Sequence, residues 1–163
     1  INPFTKNMLK ETAYSDLTGR FPHKSSRGNQ YLFTLYDYDS NAILSTPLKS
    51  RQGKEIATAF TKCYNKLTKH GHEVKLFILD NECSNDLKMA IIKSESTFQL
   101  VPPHIHRRNA AERTIRTYKN HLISELATCD PDFPITEWDR LLEQCEITLN
   151  LLRTSRISPK LSA

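Results

Sequence analysis

Hydrophobic and polar positions in the first third of the chain follow the pattern of β-strands. Residues 29–39 (NQYLFTLYDYD) are aromatic or apolar almost throughout, as in a central strand, and shorter candidate strands lie at 13–17 and 42–44. The segment 19–28 between the first two strands contains proline, serine and glycine, which is typical of turns. The pattern therefore predicts three strands that form an antiparallel meander.

From residue 56 onwards the pattern changes to helices that alternate with short strands. Apolar side chains recur at helical spacing over 56–67, and Gly71 is placed to end this helix. Residues 74–79 predict a short buried strand and residues 97–101 a further strand, and a helix over 87–92 separates them. These elements favour a sheet that continues beyond the meander.

Two further helices are predicted in the last third of the chain. A long helix begins near Asn109. The pattern Thr136-x-x-Asp139 resembles a capping box and predicts the start of the last helix. The apolar faces of the two helices consist of Ile115, Leu122 and Leu126, and of Trp138, Leu142, Cys145, Leu149 and Leu152.

The order of elements is β-β-β-α-β-α-β-α-α, which predicts an α/β fold. Three antiparallel strands, followed by strands that alternate with helices, favour a mixed five-stranded sheet with helices on both faces. A ribonuclease-H-like core has this order. We expect residues 1–12 to form an N-terminal tail and residues 13–163 to form one domain, because a chain of 163 residues is long enough for one sizeable core.

Composition and charge narrow the classes of protein. With 38% hydrophobic and 25% charged residues, the composition excludes collagen-like and disordered chains. No apolar run reaches the length of a membrane span and no signal peptide opens the chain. The chain starts at Ile1 without an initiator Met, so we expect a domain excised from a longer protein. The net charge is +5, and Glu112 is the only acid among five Arg and Lys residues between His104 and His121. This cluster favours a polyanionic partner, although a solvated helix face has the same pattern.

The four cysteines argue against a structural zinc site. None stands in a Cys-x-x-Cys pair, and the histidine pairs at 70–72 and 104–106 have no nearby cysteine at zinc-finger spacing. Cys63 and Cys145 fall on apolar helical faces, where a free thiol behaves as a small hydrophobe. We expect reduced thiols and an intracellular protein, cytoplasmic or nuclear, that is neither secreted nor bound to a membrane.

Three acids occupy positions that suit metal chemistry. Asp16 lies in the first predicted strand, Asp80 follows the apolar strand 74–79, and Glu112 lies near the start of the basic helix. Open α/β sheets bind ligands at the carboxyl ends of their strands. Carboxylates are ligands for Mg²⁺, and two ions about 3.5–4 Å apart can stabilise both the attacking and the leaving oxygen of a phosphodiester displacement.

Each of these acids also has a purely structural interpretation. Asp16 precedes a candidate turn at Thr18, and Asp80 suits an Asx turn at the end of a strand. The pattern Asn109-x-x-Glu112 resembles a capping box, in which the glutamate binds a backbone amide. Spacing alone leaves both interpretations open.

Three segments carry a resemblance to a known family: 14–22 (YSDLTGRFP), 79–82 (LDNE) and 106–113 (HRRNAAER). Together they resemble the integrase catalytic core of retrotransposons and retroviruses, which is the DDE group of the ribonuclease-H-like superfamily. The likeness is greatest to the copies found in retroelement polyproteins. It covers residues 13–163, nearly the whole chain.

The resemblance implies that Asp16, Asp80 and Glu112 are catalytic carboxylates that hold two Mg²⁺ or Mn²⁺ ions, with no organic cofactor. It also implies that residues 102–109 form an active-site loop in contact with DNA, and that basic residues beside Glu112 bind phosphates near the scissile bond. The DNA-binding residues implied in this way are Arg107, Arg108, Asn109, Arg113, Arg116 and Lys119.

The activity that the resemblance implies is DNA integration. A metal-dependent polynucleotidyl transferase of this kind processes 3′ ends and joins element DNA to target DNA. The implied partners are these two DNAs and further copies of the chain in a homo-oligomer. Two alternatives remain, namely a ribonuclease-H-like nuclease that only cleaves and a decayed, non-catalytic module that only binds nucleic acid.

The chain departs from the family in one spacing. Thirty-one residues lie between Asp80 and Glu112, fewer than in many members. A shortened connection within 94–99 would absorb the difference without moving either carboxylate. Glu82 and Asp37 are further acids that the pattern puts near the site, where either is easily mistaken for a metal ligand.

Overall fold

Five strands and five helical segments make up the part of the chain that the structure, a computed structural model, describes. The described residues are 10–80, 83–101 and 108–163, with only the backbone described for 108–111. The strands are β1 (Thr12–Leu17), β2 (Tyr31–Asp37), β3 (Ile43–Leu48), β4 (Leu76–Asp80) and β5 (Thr97–Val101). The helices are α1 (Gly53–Lys69), α2 (Asn85–Lys93), α3 (Arg108–Thr128), the 3₁₀ helix η1 (Ile135–Arg140) and α4 (Leu142–Leu151). None of these described helices is both long and apolar enough to span a membrane.

The strands form one mixed sheet in the order β3-β2-β1-β4-β5. β1 pairs antiparallel with β2, and β2 pairs antiparallel with β3, so the predicted meander is confirmed. β1 pairs parallel with β4, and β4 pairs parallel with β5. Parallel pairing requires crossover connections, and α1 and α2 supply them. The predicted mixed five-stranded sheet is confirmed, and β5 has its predicted bounds.

Helices cover both faces of the sheet, as predicted. α1 and α2 pack on one face, where the rings of Phe60 and Phe77 meet edge to face at 4.9 Å. α3, η1 and α4 pack on the other face around Tyr118 and Trp138. Successive side chains of each strand contribute alternately to the two cores, because side chains of a strand point to opposite faces of the sheet.

The edge strand β3 is twice as long as predicted. Side chains of α4 bind its outward backbone groups: Asn150 accepts from Ile43 N–H and donates to Ile43 O, both at 2.9 Å, and Glu146 accepts from Ser45 N–H at 2.9 Å. Pro47 follows in this alternation and has no N–H to leave unpaired. A sheet edge whose backbone groups are already hydrogen-bonded in this way resists pairing with a strand of another chain.

The predicted start of the last helix is wrong. Residues 135–140 form η1, which follows an N-cap at Pro134, and Thr136 caps no helix. α4 begins only at Leu142. Four of the five residues predicted for its apolar stripe are buried, but Leu152 is 79% exposed because it lies at the C-cap, beyond the last turn that faces the sheet.

Asp139 does not cap a helix but joins η1 to the loop between β1 and β2. Its Oδ2 accepts hydrogen bonds from Ser25 Oγ at 2.8 Å, Asn29 Nδ2 at 2.6 Å and Arg27 Nε at 3.1 Å. Arg27 Nη2 lies 3.0 Å from Oδ1, an ion-pair contact without the alignment of a hydrogen bond. Burial raises the pKa of Asp139, but the hydrogen bonds from Arg27, Asn29 and Ser25 outweigh burial and hold the pKa below its ordinary value.

The substitution Asp139→Asn is expected to lower the free energy of unfolding at pH 7 by about 2–4 kcal/mol, because a buried charge with several donors is lost. A folded-state pKa below the ordinary value stabilises the fold above that value and ceases to do so as the pH falls through it. The gap between wild type and variant should therefore shrink below about pH 4. Urea unfolding followed from pH 7 to pH 3 measures this gap.

The exposed Asp132→Asn variant is the matched control, and it should stay within about 0.5 kcal/mol of wild type. A gap for Asp139→Asn that is as wide at pH 3 as at pH 7 would show that the carboxylate charge does not stabilise this contact.

The four cysteines are free, as predicted. Cys63 lies in the core beneath α1 and Cys145 in the core beneath α4. Burial raises the pKa of each of these two thiols to about 12. Such thiols stay protonated at neutral pH and act as small apolar side chains.

Candidate active site

Asp16 and Asp80 lie at the carboxyl ends of two neighbouring parallel strands. The register of β1 against β4 pairs Ala13 with Phe77 and Tyr14 with Ile78. Carried two residues further, this register aligns Asp16 with Asp80, the last residue of β4. Two acids that are far apart in the chain thus lie at the same end of two central strands, where both border one cavity.

The alternation along both strands directs these two side chains to the face that α3 covers. Tyr14 and Ile78 belong to the core beneath α3, which also contains Tyr118. Asp16 and Asp80 follow them by two residues, and residues two apart in a strand share a face. The carboxylates therefore lie on the side of the sheet that carries the basic helix.

A cavity of about 310 Å³ opens at these strand ends on the face that α1 and α2 cover, since Ile56, Leu79 and Leu87 line it. Asp16 and Asp80 border this cavity from the ends of their strands. Ser15 lines it too, and its buried hydroxyl has no hydrogen-bond partner among the described residues. Ser84, which caps α2 by accepting from Leu87 N–H at 3.2 Å, lies at the rim. Further lining residues that sequence patterns did not indicate are Arg51, Ile56 and Cys83.

The pair of carboxylates suits a divalent cation. Neighbouring strands lie about 4.8 Å apart, so aligned carboxylates on one face can reach the same ion. Mg²⁺ is commonly bound through one or two carboxylates together with substrate phosphates, so this donor set fits one ion. Among the described residues, no group of three or more His, Cys, Asp or Glu side chains is placed to hold a metal ion. A cluster that includes Glu112 therefore stays a prediction.

Glu112 lies near the start of α3. β5 ends at Val101, which pairs with Asp80, and α3 begins at Arg108 after a short connection. The Glu112 side chain is exposed, and it is not among the residues that line the cavity. α3 starts one residue before Asn109, so Asn109 does not hold the N-cap position that a capping box requires.

Asp16 is a strand residue rather than a turn residue. It pairs with Thr34 across β1 and β2, and Thr34 Oγ1 donates to its backbone carbonyl at 3.2 Å. The strand pairing continues past it, since Thr18 N–H donates to Leu32 O at 2.9 Å. The turn that sequence patterns allowed directly after Asp16 therefore begins later.

Asp37 lies at the other end of the sheet, contrary to its predicted nearness to the site. It pairs with Ala13, at the start of β1, and its Oδ2 accepts hydrogen bonds from Ser40 N–H at 2.8 Å and Ser40 Oγ at 2.6 Å. The reason is topological, because the antiparallel β2 runs away from the carboxyl end of β1. Glu82, the other extra acid, is outside the described residues.

The predicted DNA-binding residues are described in part. Arg113 and Arg116 are exposed on α3, and Lys119 is half-buried with its Nζ 5.7 Å from the centre of the Phe21 ring. Arg108 and Asn109 begin α3, but only their backbone is described. Arg107 and most of the predicted loop 102–109 lie outside the described residues.

The segment 94–99, in which a shortened connection is predicted, contains a tight link between two elements. Only residues 94–96 connect α2 to β5. Ser96 Oγ donates to Val74 O at 2.7 Å and ties this tight connection to the start of β4. The short connection leaves Asp80 at the end of its strand.

Solved structures of retroviral integrases share this arrangement of strands and helices. The catalytic core domain of BIV integrase has a TM-score of 0.65 at 14% identity, covering 90% of this chain and 87% of that chain. The catalytic core domain of HTLV-2 integrase in complex with magnesium, in its dimeric form, has a TM-score of 0.68 at 20% identity, covering 91% and 94%.

A third structure is the simian T-cell lymphotropic virus intasome in complex with the PP2A regulatory subunit B56 gamma. It has a TM-score of 0.69 at 19% identity and covers 88% of this chain, which spans about half of that chain (49%). No family model and no curated protein sequence matches this chain. The resemblance noted in the sequence is thus confirmed at the level of the fold: the chain has the ribonuclease-H-like fold of retroviral integrase catalytic core domains.

Proposed function

We propose that this chain is a metal-dependent polynucleotidyl transferase that processes 3′ ends and joins element DNA to target DNA. The observation that carries the proposal is that Asp16 and Asp80, near the carboxyl ends of the parallel strands β1 and β4, border one cavity. By strand alternation the two side chains share the sheet face of Tyr14 and Ile78, which the basic helix α3 covers. The fold shared with retroviral integrase cores supports the same function.

Each carboxylate has a distinct part in this proposal. Asp16 and Asp80 bind the divalent ions from the sheet, and Glu112 completes the site from α3. When bound, two Mg²⁺ or Mn²⁺ ions stabilise the charge on the attacking and leaving oxygens of the phosphodiester. The three side chains fix where the scissile phosphate sits, because positioning and charge stabilisation supply most of the acceleration in such displacements. No covalent bond to the protein is needed.

The basic face of α3 holds the DNA backbone in this proposal. Arg116 and Lys119 follow Glu112 by four and seven residues, which puts them within about 40° of its direction around the helix. A phosphate backbone that reaches the carboxylates therefore passes both cations. Their contacts set the position of the duplex without reading its sequence.

Replacing Arg116 and Lys119 together with Ala is expected to weaken DNA binding about equally across sequences. Each phosphate contact releases counterions, so its loss makes the slope of log affinity against log salt shallower by up to ~0.9 on duplex DNA. Fluorescence anisotropy with two unrelated duplexes, measured over a series of salt concentrations, gives both quantities.

The matched control replaces Lys62 and Lys93, which are exposed on α1 and α2 at the opposite face of the sheet. It removes the same net charge and should leave the slope nearly unchanged. An equal loss of slope in both double variants would mean that net charge, and not the face of α3, accounts for binding.

The partners in this proposal are the two DNAs and a second copy of the chain. The HTLV-2 core has been solved with magnesium in a dimeric and a trimeric form, which supports a homo-oligomer and a magnesium cofactor here. Incubation with labelled DNA and Mg²⁺ or Mn²⁺ separates the three candidate functions. Joined product supports the proposal, shortened strands alone indicate a nuclease, and binding without chemistry indicates a decayed module.

A further inference from the structure

The loop between β1 and β2 is unusually long and basic. It spans residues 18–30, thirteen residues, whereas hairpin loops commonly have about 2–5. It contains Arg20, Lys24 and Arg27 together with His23, and no Asp or Glu. Long loops within compact domains are usually functional, so the loop calls for an explanation beyond chain reversal.

Contacts with η1 hold this loop in one shape. Beyond the bonds of Asp139, Ser26 N–H donates to Thr136 O at 2.8 Å, and Trp138 Nε1 donates to His23 O at 2.9 Å. The ring of Phe21 packs on Trp138 at 4.7 Å between centroids. The loop is thereby fixed before any ligand arrives, which lowers the entropy lost on binding.

The same contacts place the loop beside α3. Phe21 lies between Trp138 and the ammonium group of Lys119, which is 5.7 Å from its ring centre. Arg20 directly precedes Phe21 and follows Asp16 by four residues. The loop therefore borders the basic face of α3 on the side of the sheet where the carboxylates lie.

The cations of the loop are directed to solvent. Arg20 and Lys24 are exposed, and half of the Arg27 side chain is exposed although its guanidinium binds Asp139. Gly28 has a φ of +90°. The side chains of Lys24 and Lys49 lie close together beside it, since each comes within 3.8 Å of the position that a Cβ on Gly28 would take. Lys49, at the end of β3, thus extends the same positive surface.

We propose that this loop is a second contact for the DNA backbone, which binds phosphates of the duplex arm next to the scissile bond. This inference rests on the proposed function, since it assumes that DNA reaches the carboxylates across Lys119. Arg20 and Lys24 are exposed cations on a loop that contains no acid of its own, and such a pair suits the phosphates of a duplex backbone. Long flexible side chains on a fixed backbone suit contacts that are independent of sequence.

The test compares three double variants in the whole chain: Arg20→Ala with Lys24→Ala, Arg116→Ala with Lys119→Ala, and the control Lys62→Ala with Lys93→Ala. Each removes two positive charges, and each loop residue lies outside the hydrogen bonds to Asp139. Duplex binding is measured by anisotropy over a salt series, and thermal unfolding checks the fold. We expect the loop variant to lose up to ~1.8 in slope, the sum of two contacts of ~0.9, and the control to lose little.

The outcomes separate this inference from the proposed function. If the loop variant binds like the control while the α3 variant loses slope, the loop does not contact DNA and the proposed function stands. If neither variant differs from the control, DNA does not cross α3 and both proposals fail. A loop variant that binds duplex DNA normally but loses binding to single strands or to an acidic peptide would overturn the assignment of duplex as the ligand.

Discussion

The variant Asp80→Asn is expected to lose metal-dependent DNA joining by about a thousandfold or more while it still binds DNA. Metal ions contribute several kcal/mol to the stabilisation of transition-state charge, and about 1.4 kcal/mol corresponds to a factor of ten in rate. Asn keeps the size of Asp80 but lacks the charge that attracts a divalent ion. Asp16→Asn should have the same effect, because both side chains border one cavity at the ends of neighbouring parallel strands.

Stability gives the second readout for Asp80→Asn. Asn keeps the size of Asp80 and one of its side-chain oxygens, so the melting temperature should change by only a few degrees. Added Mn²⁺ should raise the melting temperature of wild type by mass action but not that of the variant. Asp132→Asn, an exposed change far from the cavity, is the control. A variant that melts lower and still responds to Mn²⁺ would assign Asp80 a structural role.

Glu112→Gln is expected to remove metal-dependent joining to a similar extent, again with DNA binding retained. The reason is that Gln cannot supply the third negative charge of a two-ion site. A purely structural role predicts another result, because Gln keeps the size and a hydrogen-bonding oxygen of Glu112, so joining would persist with slightly altered stability. Joining and melting temperature should therefore be measured on the same preparation.

An exposed glutamate on α4, Glu143, provides the control for Glu112. Glu143→Gln should retain full joining and an unchanged melting temperature. Joining by Glu112→Gln at the level of this control would exclude Glu112 from the site, and would leave Asp16 and Asp80 as a two-carboxylate site for one ion.

Local periodicity predicts most of the fold because it reflects which face of each element is buried. β5 and α1 match their predicted positions closely, since their apolar side chains repeat at two residues or at three to four. The predicted start of the last helix is wrong, because Asp139 binds a loop more than a hundred residues earlier in the chain. No local pattern contains such a contact.

The site is predictable in residue type but not in geometry. An acid after an apolar strand marks the ligand-binding edge, and Asp80 occupies that position. Asp16 comes near Asp80 because β1 pairs parallel with β4, and this pairing is known only from the strand order of the folded sheet. The role proposed for the basic loop could not be predicted from the sequence either. It depends on the contact between Phe21 and Lys119, which lie far apart in the chain.

The most direct test of the central claim uses a branched DNA that represents the joined product, because resealing it requires only the reverse of the joining step and no recognised end sequence. Wild type, Asp16→Asn and Asp80→Asn are incubated with labelled branched DNA and Mn²⁺ or Mg²⁺, with and without a chelator. Our account predicts resealing by wild type alone and only with metal present. Folded wild-type protein that binds the branched DNA without resealing it, or resealing that survives in the chelator or in either variant, would contradict the account.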